Sequence, residues 1–562
     1  MNKKSFFALS LSAALFASCG SDDVVNPADG GDLNGDAYVS IQLHLPSVRA
    51  TRATDNFDPG TGDEWKVNDV TAIFFDQNRR FVDSKSLSAE GFGENTNTSG
   101  ITADKKFPTQ RVDPRVKYVL VLLNANGSGV DVAGLQSGTF EAFNSVIANK
   151  KVSDFTGAGN NDFFMSNSPK STSSQVEGLG DVLVEITPQR TQELAEEAGN
   201  IAQVYVERAV GKVSVDKPDV QGNWTAGWTY TIPENNNDIA IIRRGDQIEF
   251  TDWALDVTNT KMYPVRNFKT VWASDTYRDG QINRFLSNKT VDETFGFRTN
   301  WTEDPNYDNF QVALQNGTNN VDRSSDANKA QFNYLITDTD FDNNKKSVSE
   351  VNYCFENTFA TNHMKQGETT RIVFRATYTP KGFTKNVTWY LIGNSNTPYS
   401  ADGLKAAIKA ATNAEDVEVP AASGITNMED IKVKGQSEAN FRAMNETEKN
   451  AALSALGATV TTYLNGKCYY VARIKHFGDD DTKWDGTTDY TTSTTVAFDK
   501  AYLGRYGIVR NNWYQLSLNT VSAPGSPTIP EIPNTMDDEQ NYYLQTTVHI
   551  MDWAVRTQPL DF

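Results

Sequence analysis

The chain has 562 residues, enough for two to four domains. It carries 71 acidic against 52 basic residues, a net charge of −19, which disfavours nucleic-acid partners because their binding depends on Lys and Arg neutralising phosphates. The sequence has no Cys/His cluster, phosphate-binding glycine loop or nucleophile elbow, and its four histidines are scattered, so we expect no metal, no cofactor and no enzymatic activity.

The first 18 residues have the features of an export signal. Lys3 and Lys4 precede an apolar run over 6–16 that is too short to span a bilayer, and small residues lead up to Cys19. A cysteine at this place resembles a bacterial lipobox, in which the thiol is acylated and becomes the new N-terminus. We predict a lipoprotein signal peptide over 1–18, lipidation of Cys19 and anchoring in the outer membrane through the lipid. An ordinary signal peptide with an incidental cysteine is the alternative.

Residues 19–36 are acidic and rich in glycine and asparagine, so we expect a flexible tether. The acidic pair Asp22 and Asp23 resembles the surface-export signal of lipoproteins in gut and oral Gram-negative anaerobes. Export and tethering together argue against a cytosolic enzyme.

The first predicted strand covers 38–45 and ends before Pro46, because apolar and polar residues alternate along it. Its apolar residues share one face, and they are Val39, Ile41, Leu43 and Leu45. A loop over 47–63 follows. This loop contains two Arg-Ala bonds, one after Arg49 and one after Arg52.

The rest of the N-terminal half is also rich in strand signals. β-branched and aromatic residues dominate the predicted strands, which are 70–75, 118–123, 204–208 and 210–215. A Pro-containing turn over 216–219 then marks a domain boundary. We therefore predict an N-terminal domain over 37–216 and a C-terminal domain over 217–562.

The C-terminal half combines strands with one helical block. Strands are predicted at 371–378 and 388–392, and helices at 404–412 and 438–456, as an insertion between strands. The sum is an all-β chain, most simply two β-sandwiches with a small helical insertion in the C-terminal domain.

The last residues, 546–562, continue an apolar face almost to the end of the chain. The apolar residues of this segment are Val548, Ile550, Trp553, Val555, Leu560 and Phe562. A chain end is normally polar and frayed, so the apolar end is unusual. A last core strand explains the first part of this segment equally well, and Pro559 removes a donor from any strand ladder.

Two other features leave alternatives open. Cys354 and Cys468 could form a disulfide in an oxidising compartment or be two buried thiols, and their aromatic neighbours favour burial. The segment from Asp338 begins like a calcium loop, but Asn343 stands where that loop needs glycine. An acidic solvated turn is the favoured interpretation there.

Two blocks near the C-terminus carry a family resemblance. Residues 467–476 read KCYYVARIKH, and 506–516 read YGIVRNNWYQL, followed by PGSP at 524–527. Together with YCFENT at 353–358 and GETT at 367–370, they resemble the fimbrillin family. The overall layout is closest to the major subunit of short (minor) fimbriae, and the motifs are specific mainly in the C-terminal domain.

The resemblance implies two transthyretin-like β-sandwich domains and assembly by strand exchange. It also implies that an Arg-specific surface protease cuts the loop after the first strand, so that strand 38–45 is lost and leaves a groove. The C-terminal tail of another copy would then fill the groove and build a homopolymer for adhesion or biofilm formation. Of the two candidate sites, Arg52 fits the family pattern better than Arg49.

The implied partners are other copies of the chain and the accessory, anchor and tip subunits of a fimbrium on the cell surface. The alternative is a non-polymerising surface lipoprotein, either a fimbrial tip or anchor adhesin or a glycan-binding module. The 10 tryptophans and 21 tyrosines would suit sugar stacking, but sandwich cores use the same residues.

Overall fold

The strands and helices lie in the part of the chain that the computed structural model describes. It comprises residues 37–45, 64–92, 95–96, 100–101, 104–128, 130–132, 138–145, 147–148, 150–168, 170–171, 179–216, 223–225, 227–235, 243–267, 286–290, 297–299, 301–393, 395–477, 502–537, 544–551 and 556–557.

Sixteen strands precede residue 217 in the described part of the chain. They are β1 (Ala37–Val39), β2 (Ile41–His44), β3 (Val70–Phe75), β4 (Phe81–Leu87), β5 (Asn95–Thr96), β6 (Gly100–Ile101), β7 (Asp104–Lys106), β8 (Gln110–Val112), β9 (Tyr118–Leu123), β10 (Ile147–Ala148), β11 (Met165–Asn167), β12 (Lys170–Ser171), β13 (Leu179–Asp181), β14 (Val184–Glu185), β15 (Ala202–Arg208) and β16 (Val210–Asp216).

The strands that follow are β17 (Thr229–Thr231), β18 (Gln247–Asp256), β19 (Thr258–Asn259), β20 (Lys261–Met262), β21 (Leu286–Thr290), β22 (Phe297–Thr299), β23 (Phe332–Asn333), β24 (Lys346–Ser347), β25 (Val351–Phe355), β26 (Arg371–Thr379), β27 (Trp389–Ile392), β28 (Asp416–Val417), β29 (Gly424–Asn427), β30 (Lys432–Lys434), β31 (Arg442–Ala443), β32 (Thr459–Tyr463), β33 (Lys467–Arg473), β34 (Trp513–Val521), β35 (Leu544–Met551) and β36 (Arg556–Thr557). The α-helices are α1 (Phe140–Phe143), α2 (Ser153–Thr156), α3 (Gln192–Glu196), α4 (Asp326–Lys329), α5 (Asp338–Asn344), α6 (Ala401–Thr412) and α7 (Glu446–Leu456).

The N-terminal part builds a sheet with the strand order β4-β3-β9-β11-β15-β2-β7, in which β14 also pairs with β9. In both β3 and β9 all residues but one are buried, as expected for apolar strands that are covered on both faces. The predictions of strands at 70–75 and 118–123 are confirmed with the same bounds.

Two sheets of the C-terminal part share one core. Their orders are β25-β16-β34-β35-β36 and β17-β18-β26-β33, and β24 also pairs with β18. Val215 and Leu516 of the first sheet are buried in the same cluster as Phe374 and Tyr470 of the second. Facing sheets that bury one common core make a β-sandwich. The all-β prediction is therefore confirmed, whereas the transthyretin-like topology and the division into two domains stay predictions.

The helical insertion lies between β27 and β32 and has its own core, which includes Leu404 and Ile408 of α6. Ser400 caps α6 by accepting a hydrogen bond from the backbone N–H of Gly403. The second helix is shorter than the predicted 438–456. It begins at Glu446 because Asn445 and Glu448 form a reciprocal capping box there. No helix in the described part of the chain is long and apolar enough to cross a bilayer.

β15 and β16 follow each other in the chain but belong to different sheets. β15 pairs with β11 and β2 in the N-terminal sheet, whereas β16, after Ala209, pairs with β25 and β34. The predicted boundary at 216–219 follows β16 and would assign that strand to the N-terminal domain. Strand pairing places β16 in the C-terminal sheet, so a division by sheets falls at Ala209.

The segment that begins at Asp338 is a helix, and the prediction of a solvated turn is wrong. Thr337 accepts a hydrogen bond from the backbone N–H of Asp340, whose carboxylate in turn accepts one from the N–H of Thr337. This capping box starts α5, and its acidic residues lie at the helix N-terminus, where the helix dipole favours negative charge. Asp342 forms an ion pair with Arg375 of β26, with 2.8 Å between Nη1 and Oδ1.

Cys354 and Cys468 are both free and buried. Burial raises the pKa of each thiol to about 12, and only a thiolate reacts readily. In a chain lacking residues 1–19, we expect neither thiol to react with a maleimide at pH 7 until urea unfolds the protein, as counted by mass spectrometry. A Lys106→Cys variant supplies an exposed thiol as the control. Labelling of Cys354 or Cys468 in the folded chain as fast as that control would contradict this expectation.

Candidate functional site

The predicted strand 38–45 is divided at Ser40 into β1, which pairs with β8, and β2, which lies inside the N-terminal sheet. β2 pairs in parallel with β15 and antiparallel with β7, so that Leu43 lies opposite Val204 on one side and Lys105 on the other. Removing residues 37–45 would leave the N–H and C=O groups of β7 and β15 unpaired on either side of a gap. Such exposed edges bind a further strand.

The inward face of this strand fills the N-terminal core. Val39, Ile41, Leu43 and Leu45 are each at most 3% exposed and belong to one buried cluster. Burying a Val, Leu or Ile side chain fully contributes about 1.5–3 kcal/mol. The prediction that the four share one face is confirmed, and their release by proteolysis stays a prediction.

The outward face carries a polar contact that we call the His44 clamp, formed by Asp104, Gln203 and Tyr205. His44 Nδ1 lies 2.7 Å from Asp104 Oδ1, and Nε2 lies 2.7 Å from Gln203 Oε1. The ring stacks on Tyr205 with 4.3 Å between the ring centroids. Both neighbouring strands therefore hold the same side chain, since Asp104 lies in β7 and the other two residues lie in β15.

A second outward contact fixes the strand near its start. The hydroxyls of Ser40 and Thr109 are 2.8 Å apart, and Thr109 donates a hydrogen bond to Glu196 at 2.7 Å. Hydrogen bonds from Gln192 and Thr109 lower the pKa of the Glu196 carboxyl, so that it stays an acceptor at neutral pH.

The chain is anchored again at Glu64, the next described residue after Leu45. The buried Glu64 carboxylate lies 2.7 Å from Lys212 Nζ and also accepts a hydrogen bond from the Tyr353 hydroxyl. Arg208 donates to the Glu64 carbonyl oxygen at 2.9 Å. Burial, together with the charge of Glu64, raises the pKa of Tyr353, so this hydroxyl remains a donor. We call these four residues the Glu64 junction.

The Glu64 junction connects the two parts of the chain. Arg208 ends β15 in the N-terminal sheet, whereas Lys212 and Tyr353 belong to strands of the C-terminal sheet. Lys212 Nζ also lies 3.7 Å from the centre of the Trp513 ring. The described residues on either side of 46–63 are thus fixed, by the pairing of β2 before this segment and by a buried ion pair after it.

Several predicted site residues lie outside the described residues. They are Cys19, Arg49, Arg52, Trp553, Val555, Leu560 and Phe562. Val548 and Ile550 lie in β35, opposite Leu516 and Tyr514 of the same chain. The last strand, β36, is only two residues long and pairs with β35.

The space between β7 and β15 is occupied by β2. Among the residues described, no group of three or more His, Cys, Asp or Glu side chains could hold a metal. The sequence analysis missed the His44 clamp and the Glu64 junction. Its available signal was a histidine at an outward position of an otherwise apolar strand.

Comparison with known proteins agrees with this architecture at both ends of the chain. Residues 37–201 match the family described as major fimbrial subunit protein (FimA), and residues 461–559 match the C-terminal domain of major fimbrial subunit protein type IV, fimbrillin. The first match begins at β1 and includes the His44 clamp residue Asp104. No curated protein sequence matches the chain.

Solved structures of low identity align over most of the chain. A fimbrilin from Porphyromonas gingivalis is 13% identical with a TM-score of 0.34, over 92% of this chain and 99% of its own. The tip fimbrial protein Mfa3 of the same species is 11% identical with a TM-score of 0.31, over 92% and 100%. A Parabacteroides distasonis protein, assigned provisionally to cell adhesion, is 11% identical with a TM-score of 0.36, over 92% and 98%.

TM-scores below 0.5 do not establish a common fold, so the two family matches carry the assignment. The matched segments contain the first strand with its groove and the strands β33 and β34 of the C-terminal sandwich. The assignment covers residues 37–201 and 461–559, which match families of major fimbrial subunits.

Proposed function

We propose that this chain is the structural stalk subunit of a surface fimbrium and assembles by strand exchange. It is exported as a lipoprotein precursor acylated at Cys19 and held in the outer membrane by the lipid. An Arg-specific surface protease cuts the loop after Arg52 or Arg49. The first strand then leaves, and the C-terminal tail of another copy takes its place.

The observation that supports this proposal best is the position of the first strand. Its part β2 lies between β7 and β15, and the next described residue, Glu64, is fixed independently by its ion pair with Lys212. A cut after Arg49 or Arg52 therefore separates the nine described residues 37–45 from the rest of the chain, which is still fixed at Glu64. Because the apolar groove would then be exposed to water, another strand of alternating pattern gains free energy by entering it.

Limited trypsin digestion of the chain lacking residues 1–19 tests this function. We expect a cut after Arg52 or Arg49, identified by N-terminal sequencing, followed by SDS-resistant ladders. The Arg49→Ala/Arg52→Ala variant should remain uncut in this loop and monomeric. A chain that ends at residue 552 should be cut normally and form no ladders, because it lacks the donor tail.

A cut product that stays monomeric would exclude the stalk function. The chain would then be a non-polymerising surface lipoprotein, such as a tip or anchor adhesin or a glycan-binding module. Cleavage at another site with ladders still forming would preserve strand exchange and remove the role of both arginines.

A further inference from the structure

A cavity of about 590 Å³ opens on the outer face of the C-terminal sandwich, where the chain passes between the sandwich and the helical insertion. Six of its eight lining residues are polar, namely Thr251, Arg375, Thr377, Asn386, Asn465 and Lys467. We propose that this insertion cavity binds a neutral saccharide. Such binding is independent of cleavage and strand exchange, because the cavity is present in the uncut chain.

The floor of the insertion cavity is the outer face of β26. Thr377 points outward there, because its neighbours Ala376 and Tyr378 are both buried in the sandwich core. Further along the same face, α5 covers the sheet through Phe341, whose ring centre lies 4.7 Å from the guanidinium carbon of Arg375. Arg375 also lines the cavity, so the cavity begins where the cover by α5 ends. A ligand can therefore reach the Thr377 hydroxyl from outside.

A second hydroxyl is directed into the cavity by an irregularity of β18. Phe250 and Asp252 are both paired with residues of β26, whereas Thr251 between them is the extra residue of a β-bulge. Bulges re-aim a side chain and are frequent beside binding sites. The exposed Thr251 hydroxyl donates to Asp252 Oδ2 at 3.0 Å and keeps its lone pairs for a ligand.

Two asparagines form the rim. Asn386 lies in the connection from β26 to β27, and Asn465 lies in the connection from β32 to β33. Both are exposed and have left-handed backbones, with φ of 63° and 55°, a conformation that asparagine tolerates better than most residues. Among the described residues, neither side-chain amide has a hydrogen-bond partner. Each amide offers two donors and an acceptor, the combination that adjacent sugar hydroxyls need.

The charges in the wall indicate a neutral ligand. Arg375 lies 2.6 Å from Asp252 and 2.8 Å from Asp342, and Lys467 forms an ion pair with Asp338. The two cations are thus matched by three carboxylates. An anionic ligand would have to compete with carboxylates that are already in place, so the wall does not favour one.

The size and polarity of the cavity narrow the ligand further. Small-molecule sites have volumes of about 300–1,000 Å³ and are usually lined mainly by apolar side chains. The insertion cavity has this size, but its lining is mainly hydroxyl, amide and paired charge. A ligand that replaces the lost water there must bring many hydrogen-bonding groups without a net charge, and a saccharide does so.

Saturation-transfer-difference NMR on the uncut chain lacking residues 1–19 tests this site. The probes are lacto-N-neotetraose for neutral glycans of an animal surface, mannotetraose for neutral polysaccharides of a microbial surface, and a sialic acid dimer for anionic glycans. We expect saturation transfer to at least one neutral probe and none to the sialic acid dimer.

Variants of the rim and the floor locate the bound sugar. Asn386→Gly/Asn465→Gly removes both amides and keeps the left-handed backbone, which glycine adopts readily. We expect it to weaken binding roughly tenfold or more, because two hydrogen-bonding groups are lost. The matched control is Asn413→Gly, the same change at an exposed left-handed asparagine that ends α6 and does not line the cavity. Thr377→Trp should abolish binding by filling the floor, with an unchanged urea midpoint as the check of folding.

The results separate this site from the proposed function. Equal binding by Asn386→Gly/Asn465→Gly and by the wild type would overturn the site, as would a lack of transfer to both neutral probes or a preference for the sialic acid dimer. Loss of binding in this variant but not in Asn413→Gly establishes the site, and the preferred neutral probe identifies an animal or a microbial surface as the source. None of these measurements uses cleaved protein, so their failure leaves strand exchange intact, and an absence of ladders leaves the saccharide site intact.

Discussion

Replacing Leu43 with Asp is expected to release the first strand from the uncut chain. The Leu43 side chain is completely buried between β15 and β7, and truncation of such a leucine to alanine already costs about 2–5 kcal/mol. An aspartate at this position adds the cost of burying a carboxylate without a partner. Hydrogen exchange of the β2 and β7 amides measures the release, and we expect their protection to be lost.

The matched control is Gln42→Asp, which introduces the same charge one residue away on the half-buried outward face. It should keep the strand protected, because its carboxylate faces Lys106 and solvent rather than the core. Equal loss of protection in both variants would show that charge anywhere on the strand suffices. It would contradict the assignment of Leu43 to the face that holds the strand in the groove.

The Lys212→Met variant is expected to lower the global stability of the chain strongly. Removing this cation takes away the counter-ion of the buried Glu64 carboxylate, to which the Tyr353 hydroxyl still donates a hydrogen bond. Breaking a buried ion pair on one side typically costs about 3–5 kcal/mol, because the remaining charge has lost its counter-ion. Urea unfolding, followed by circular dichroism, should show a correspondingly lower midpoint.

The double variant Glu64→Gln/Lys212→Met provides the test of this cause. It removes both charges, so we expect it to regain much of the stability that Lys212→Met loses. If the double variant is as unstable as the single one, Lys212 acts through another contact, such as its position over the Trp513 ring. The exposed pair of Lys381 and Glu234 is a control, since breaking it with Lys381→Met should cost less than about 1 kcal/mol.

Local patterns made much of this fold predictable. The strand signal at 38–45 is predictable because apolar and polar residues alternate there with period two. The strand at 118–123 is predictable because its residues form a short continuous apolar run. The helix at 338–344 was misread, although Thr337 and Asp340 have the spacing of a capping box. The acidic residues of this segment resemble the start of a calcium loop, whereas in the structure they stabilise the N-terminus of a helix.

The clamp and the junction could not be predicted in the same way. His44 meets Asp104 across 60 residues and Gln203 across 159, and Glu64 meets Lys212 across 148. These residues meet only after their strands have paired. A local sequence pattern predicts that a segment is a strand, but it does not identify the strand with which it pairs. The burial of Lys212 is not predictable from the sequence, because lysine is usually exposed. Its buried charge is compensated by the Glu64 carboxylate, which is distant in sequence.

The passage of the chain from β15 into β16 has a consequence for the order of folding. Lys212 pairs in parallel with Trp513, about 300 residues further along the chain, so β16 lacks its neighbour β34 until most of the chain has been synthesised. Contacts that close such long loops form late and slowly. The N-terminal sheet can therefore form before β16 and the buried lysine have this partner strand. In a chain that stops before Trp513, we expect the β16 amides to exchange faster than in the full chain.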